Sequence, residues 1–306
     1  MHAGKHMSKF HGTVGPPELV TKSGTSFRVT HRYIRINAEN GFRSMNLAQT
    51  DGTVLALDWV VGRTHHIWGS AVLVAPGVAL TAQHVIHGTR DKGFSGEGAA
   101  GYLLGLGFHN DGNITIWNPD SFGAIGDGDL SILTLVRATP RPAATVGLAT
   151  LVTRQPLVGE SISLIGFAAA EVEFENNNAT IDSLGSVGQV IDVYPMGRDR
   201  CRLPNSSAGV SAKTINGMSG GGAFDAQGRL IGIIAAGIGE DPSFISLIWP
   251  CIFTRIDEVA WPRGLVRGPT SLNAMAQKGL CRIECIEKLR SQFNGRGELI
   301  SLRLDP

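Results

Sequence analysis

Leu80-Thr-Ala-Gln-His84-Val85 follows directly on Val78-Ala79, so an apolar, strand-like run ends on a histidine at a turn. Two further segments come after it, Asp127-Gly-Asp129-Leu-Ser-Ile-Leu133 and Asn216-Gly-Met-Ser219-Gly-Gly-Gly222. Each sets one member of a possible base, orienter and nucleophile beside a β-rich apolar stretch. Ser219 stands twice as far beyond Asp129 as Asp129 stands beyond His84. That much chain lets one half of the molecule hold base and orienter while another half supplies the nucleophile.

Ser219 is flanked by Gly217 and by Gly220, Gly221 and Gly222. Glycines there suit a backbone that turns sharply and presents N–H groups to a carbonyl oxygen, with the Gly217 and Ser219 amides as the donors. The same composition also makes an ordinary glycine-rich hairpin loop. His84, at the end of a strand, is placed to reach a hydroxyl and accept its proton near neutral pH. It is one of nine histidines, and a purely structural imidazole is the plain alternative. Asp129 abuts the apolar run Leu130–Val136, where a carboxylate could accept an imidazole Nδ1–H and fix its tautomer. Asp127 competes for that role, and either could be a simple turn residue.

Composition bounds the class. The 306 residues are 42% hydrophobic and 17% charged, which gives a globular chain with a sizeable core. Forty glycines fit many short strands joined by tight turns. A net charge of +1 leaves no basic surplus for neutralising phosphates, which argues against a nucleic-acid partner. No stretch approaches the roughly 20 apolar residues of a membrane span. The start, Met1–Phe10, has no apolar run of about 7–15 residues behind its cations; the reading is therefore a cytoplasmic protein with no membrane partner. Four cysteines without Cys-x-x-Cys spacing predict free thiols and no metal site. No cofactor is expected.

Along the chain, residues 1–52 read as an N-terminal arm with a strand-like run at Phe27–Ile36. Residues 53–145 carry regularly spaced β-rich runs, among them Val54–Leu57, Ala71–Val74, Val78–Leu80, Ile114–Trp117 and Leu130–Val136, the pattern of a sandwich or barrel. A proline-marked connector over 137–158 precedes a second series within 146–262, including Ser161–Ile165, Gly188–Tyr194, Arg229–Ala236 and Phe244–Trp249. A short helix is predicted over Thr254–Trp261. Residues 263–306 read as a helical extension over Ser271–Phe293, with room for a strand at Leu299–Leu304.

The words Gly69-Ser-Ala-Val-Leu-Val74, Leu80-Thr-Ala-Gln-His-Val85, Asp129-Leu-Ser-Ile-Leu133 and Gly217-Met-Ser-Gly-Gly-Gly-Ala-Phe224 resemble those of trypsin-like serine peptidases with the chymotrypsin fold. They are nearer the bacterial stress-protease and glutamyl-endopeptidase branches. The resemblance covers about residues 53–262. It implies an all-β fold of two antiparallel six-stranded barrels, the first over 53–145 and the second over 146–262. It implies a serine endopeptidase with His84 as base, Asp129 as orienter, Ser219 as nucleophile and the Gly217 and Ser219 amides as the oxyanion hole. A substrate pocket would fall at Lys213 and Thr214, with a wall along Ala235, Ala236 and Gly237. Digestive members carry an aspartate before the nucleophile that pairs with a freed N-terminus; Met218 stands there, so control comes from elsewhere. The expected partners are a restricted protein or peptide substrate and a regulatory protein. A silent protease-fold scaffold, or an esterase using the same triad, is the alternative.

Overall fold

Short apolar runs separated by glycine and proline turns become two closed barrels in the computed structural model. It describes residues 8–9, 28–35, 51–61, 64–89, 101–109, 114–138, 146–172, 178–200, 203–236, 242–295 and 299–305. The first barrel consists of β1 (Val54–Val61), β2 (Thr64–Ala75), β3 (Val78–Thr81), β4 (Gly101–Phe108), β5 (Ile114–Ala124) and β6 (Ser131–Arg137). These strands pair antiparallel in the order β5-β4-β1-β2-β3-β6, and β6 returns to β5 to close the sheet. The second barrel is β7 (Ser161–Phe167), β8 (Asn178–Tyr194), β9 (Ser207–Val210), β10 (Gly222–Phe224), β11 (Leu230–Ala236) and β12 (Ser243–Leu247). Its order is β10-β7-β8-β9-β12-β11, closed by β10 on β11. Numbered within its own barrel, each set has the same cyclic order, so one topology occurs twice. Closure leaves no barrel strand with a free edge.

Alternation drives the packing. Along β5, Thr115, Trp117 and Pro119 are buried while their neighbours are partly exposed, as a pleat with one inward face requires. Strand β1 and most of β2 are buried on both faces, because the outside of the first barrel also meets other parts of the chain. Trp117 is wholly buried and meets Trp261 edge-on, with centroids 5.1 Å apart and planes at 88°, a favoured aromatic geometry.

Shorter strands attach to this frame. Arg28–Arg35 runs parallel to Asn178–Gly185 of β8, matching the strand expected near Phe27–Ile36. Ser8–Lys9 pairs with β5, and Ala170–Val172 pairs with β2, joining the two halves. Leu151–Val152, in the connector, lies between Leu230 of β11 and the C-terminal Ile283–Glu284.

The C-terminal segment departs from the helical expectation. Helix covers only α2 (Leu272–Gln277), where Ser271 Oγ caps the Ala274 amide. The rest is the strand Ile283–Glu284 and an antiparallel hairpin of Leu289–Phe293 with Leu299–Leu304. Leu280, Ile283, Ile286 and Leu289 have a spacing that suits a helix. Gly279, at φ +70°, ends α2 in the left-handed conformation instead, and the backbone beyond it finds partners in the connector. The expected helix at Thr254–Trp261 is also absent; Ile256 bridges to Thr270. Among the described residues no helix is long and apolar enough to cross a membrane.

Candidate active site

His84 lies in the first turn of α1 (Gln83–Thr89), just beyond the end of β3. Asp129 lies in the turn that leads into β6. The imidazole Nδ1 is 2.7 Å from Asp129 Oδ2, and the His84 backbone N–H donates to Oδ1 at 2.9 Å. Both carboxylate oxygens therefore serve one residue, which fixes the ring's position and leaves its Nε2 edge outward. The side chain of His84 is 51% exposed and that of Asp129 only 14%. Asp127 is exposed on the same turn, and the carboxylate that meets His84 is Asp129's. The second barrel braces the turn: Asn205 Nδ2 donates to Ile125 O at 3.0 Å, and Ser246 Oγ donates to Asp129 O at 3.3 Å.

Ser219 sits half-buried in the loop before β10. Its carbonyl accepts the Ser70 N–H at 2.8 Å. A Cβ built on Gly69 would lie 3.3 Å from Ser219 O and 2.6 Å from a methyl of Val85. The Ser219 loop and the His84–Val85 end of α1 therefore share the space around Gly69. Among the described residues no hydrogen bond joins Ser219 Oγ to His84, and such bonds commonly tighten only around substrate.

Four successive carbonyls of this loop have partners. Asn216 O accepts from Ala169 N, and Met218 O accepts from Gly221 N, at 2.8 and 2.9 Å. Gly217 O accepts from Ser70 Oγ at 2.9 Å, and Ser219 O takes the Ser70 N–H. In a trans peptide the N–H points opposite to the carbonyl. Tying down Asn216 O and Met218 O thus turns the Gly217 and Ser219 N–H groups away from those partners. Neither amide donates a hydrogen bond among the described residues. Gly217 has φ +92°, and a Cβ there would lie 2.1 Å from Ala169 N, so only glycine fits. Gly220, at φ +82°, presses equally closely on Ser70 O.

The expected pocket residues do not share one environment. Thr214 is partly buried with Oγ1 2.9 Å from Ser243 Oγ, and Ser243 is buried. Lys213 is exposed. Ala235 is buried against Leu203 and Phe244. Gly237 and the side chain of Ala236 lie outside the described residues. Cys251, Cys281 and Cys285 are free thiols; burial pushes the Cys281 thiol up to about 11, which keeps it protonated and unreactive near neutral pH. Cys201 lies outside the described residues, and no cluster of three metal-ligating side chains occurs among those described.

Sequence reasoning missed Ser70, Thr81, Asn205, Ser243 and Ser246. Ser70 carried a signal, a lone hydroxyl opening the apolar run Ala71–Ala75. Buried polar groups need partners, so it pointed to a contact from another part of the chain.

Residues 69–233 match the family model described as the trypsin-like peptidase domain. Among solved structures, the chain is similar to Deg5, with 19% identity over 66% of this chain and 86% of that one and a TM-score of 0.45. It is similar to the MamO protease domain from Magnetospirillum magneticum, with 16% identity, 65% and 94% coverage and a TM-score of 0.46. It is also similar to the HtrA-type protease AlgW with tripeptide, with 21% identity, 66% and 58% coverage and a TM-score of 0.43. No curated protein matches the sequence.

Proposed function

We propose, from the premise that this chain belongs to the trypsin-like peptidase family, that it is a serine endopeptidase acting through Ser219, His84 and Asp129. The observation that carries the proposal is His84 held at both its ring and its backbone nitrogen by one carboxylate, with the adjoining Val85 and the Ser219 carbonyl meeting around Gly69. Ser219 Oγ attacks the peptide carbonyl while His84 Nε2 takes the hydroxyl proton. Asp129 keeps the proton on Nδ1 and stabilises the imidazolium that forms. The Gly217 and Ser219 amides hold the oxyanion, where each donor contributes about 10²–10³-fold to the rate in related chemistry. His84 then protonates the leaving amine, and water, activated by the same imidazole, releases the acyl group from Ser219.

The substrates are proteins or peptides in a restricted set. Thr214 and Ser243 supply a neutral hydroxyl pair beside the loop, while the exposed Lys213 is free to remain solvated, which favours selection by size and hydrogen bonding over charge. The test is labelling by a fluorophosphonate probe alongside cleavage of a peptide library. Labelling that disappears in Ser219→Ala, with library peptides cut by the wild type, is the expected result. A folded wild type that neither labels nor cleaves would leave only a scaffold. Rapid ester hydrolysis with every peptide intact would make it an esterase.

A further inference from the structure

Ser70 is completely buried in the seam between the barrels, and its polar atoms bond to three segments: the Ser219 loop, the end of β3 and the end of β7. Its N–H donates to Ser219 O at 2.8 Å, and its carbonyl accepts from Thr81 Oγ1 at 2.7 Å. Its Oγ accepts the Phe167 N–H at 2.9 Å and donates to Gly217 O at 2.9 Å. The direction of this last bond is forced. An amide can only donate, so the hydroxyl proton is left for the one acceptor in reach.

Of the four loop carbonyls from Asn216 to Ser219, the second barrel itself holds the first and third, through Ala169 and Gly221. Ser70 holds the second and fourth. A peptide cannot rotate without breaking the bond at its carbonyl, so Ser70, from the first barrel, braces the peptides that follow Gly217 and Ser219, whose N–H groups donate to Ile215 O and Ile234 O. These two peptides alternate with the two that carry the Gly217 and Ser219 amides. Through Thr81, at the end of β3, the same residue is tied to the segment that carries His84. Met218, between the two amide donors, has its side chain fully buried and brings no charge to the loop.

We propose that Ser70 is a positioning residue: an uncharged lock that braces the loop bearing the Gly217 and Ser219 amides, through the carbonyls on either side of them, and couples that loop to the histidine strand. It rests on the peptidase reading above and supplies the loop control that Met218 cannot provide through an ion pair. Because the lock is a hydroxyl between two backbone groups, the loop is set without a partner charge and without a freed terminus.

The test is the rate at which the full-length protein is phosphonylated by a fluorophosphonate probe, resolved into a maximal rate and a half-saturating concentration. Ser70→Ala should lower the maximal rate about 10- to 100-fold, less than the roughly 10²–10³-fold that follows loss of an oxyanion donor itself. The half-saturating concentration should change less than about twofold, because ground-state binding is not altered. The low-field proton resonance of the His84–Asp129 hydrogen bond should persist, since that pair is untouched. Ser70→Thr, which restores a hydroxyl, should recover most of the rate. A folded Ser70→Ala that labels like wild type overturns the proposal, as does a folded Ser70→Thr as slow as the alanine variant. Should Ser70→Ala lose its cooperative melt, the near-isosteric Thr81→Val carries the test; several-fold slower labelling is expected, and an unchanged rate in a folded variant overturns the coupling. Wild type that never labels removes the peptidase reading itself, an outcome distinct from any of these.

Discussion

Among the described residues three histidines of the first barrel lie against an aspartate, His65 on Asp58, His84 on Asp129 and His109 on Asp51, and the last two differ most in what can reach them. His84 lies 2.7 Å from Asp129 with half of its side chain exposed. His109 lies 3.3 Å from Asp51 through Nδ1 and 2.6 Å from Thr115 Oγ1 through Nε2, with 1% of its side chain exposed. By residue type both are carboxylate–imidazole–hydroxyl sets. A base must exchange its proton with substrate and water, and His109 is sealed from both. A Cβ on Gly52 would lie 2.3 Å from its ring, so no group can approach there. His109 pins the segment entering β1 to the hairpin of β4 and β5, whereas His84 keeps half of its side chain open to solvent. Access, more than composition, separates a candidate catalyst from a structural pin.

The largest effect expected is that of Ser219→Ala, which should abolish fluorophosphonate labelling and lower peptide hydrolysis by about 10⁴–10⁶-fold, with a melting temperature close to that of wild type. Next, Asp129→Asn should slow labelling by about 10⁴-fold, while Asp51→Asn, its counterpart at the buried histidine, should leave the rate within about twofold of wild type. Equal losses in the two variants would break the distinction between the pairs. His109→Phe should lower stability by about 1–3 kcal/mol, because the buried Thr115 hydroxyl loses its hydrogen-bond partner. Its labelling rate at 25 °C should be unchanged, so a chemical denaturation curve and a labelling assay read the two roles separately.

The smallest effect lies outside both sets, at the C-terminal strand. The hydrogen bond from Arg229, with the further charge of Arg282, holds the Glu284 carboxyl below its ordinary value of 4.5. A carboxylate depressed in the folded state contributes stability above its unfolded value, and that contribution fades as pH falls through the folded value. Amide protection at Leu151 and Thr153, which donate to Arg282 O and Glu284 O, should therefore weaken below pH 4.5 before the barrels open. Hydrogen exchange across pH 3–6 measures this, and protection that stays flat over the range would remove Glu284 from the docking of the strand.

Much of the fold was legible because closed barrels write a period-two pattern into their strands, as in β5, and mark turns with glycine. His84, Asp129 and Ser219 were legible because each sits where an apolar run meets a turn. The residues that organise them were not. Ser70 meets Gly217 across 147 positions, Ser246 meets Asp129 across 117, and Asn205 meets Ile125 across 80. Such contacts exist only once the barrels dock, and no local periodicity encodes them. The C-terminal strands were misread for a related reason: the spacing from Leu280 to Leu289 satisfies a helix locally, and only the distant connector supplies the pairing that makes Ile283–Glu284 extended.

That pairing has a consequence for how the molecule is made. Thr153 bonds to Glu284 through both its amide and its hydroxyl, across 131 positions. As the chain is synthesised, the two amides of the connector remain with water until the segment around Arg282 has been translated. The stretch between the barrels is thus stitched last and from the outside. A chain cut before residue 282 would leave that seam open even with both barrels fully translated.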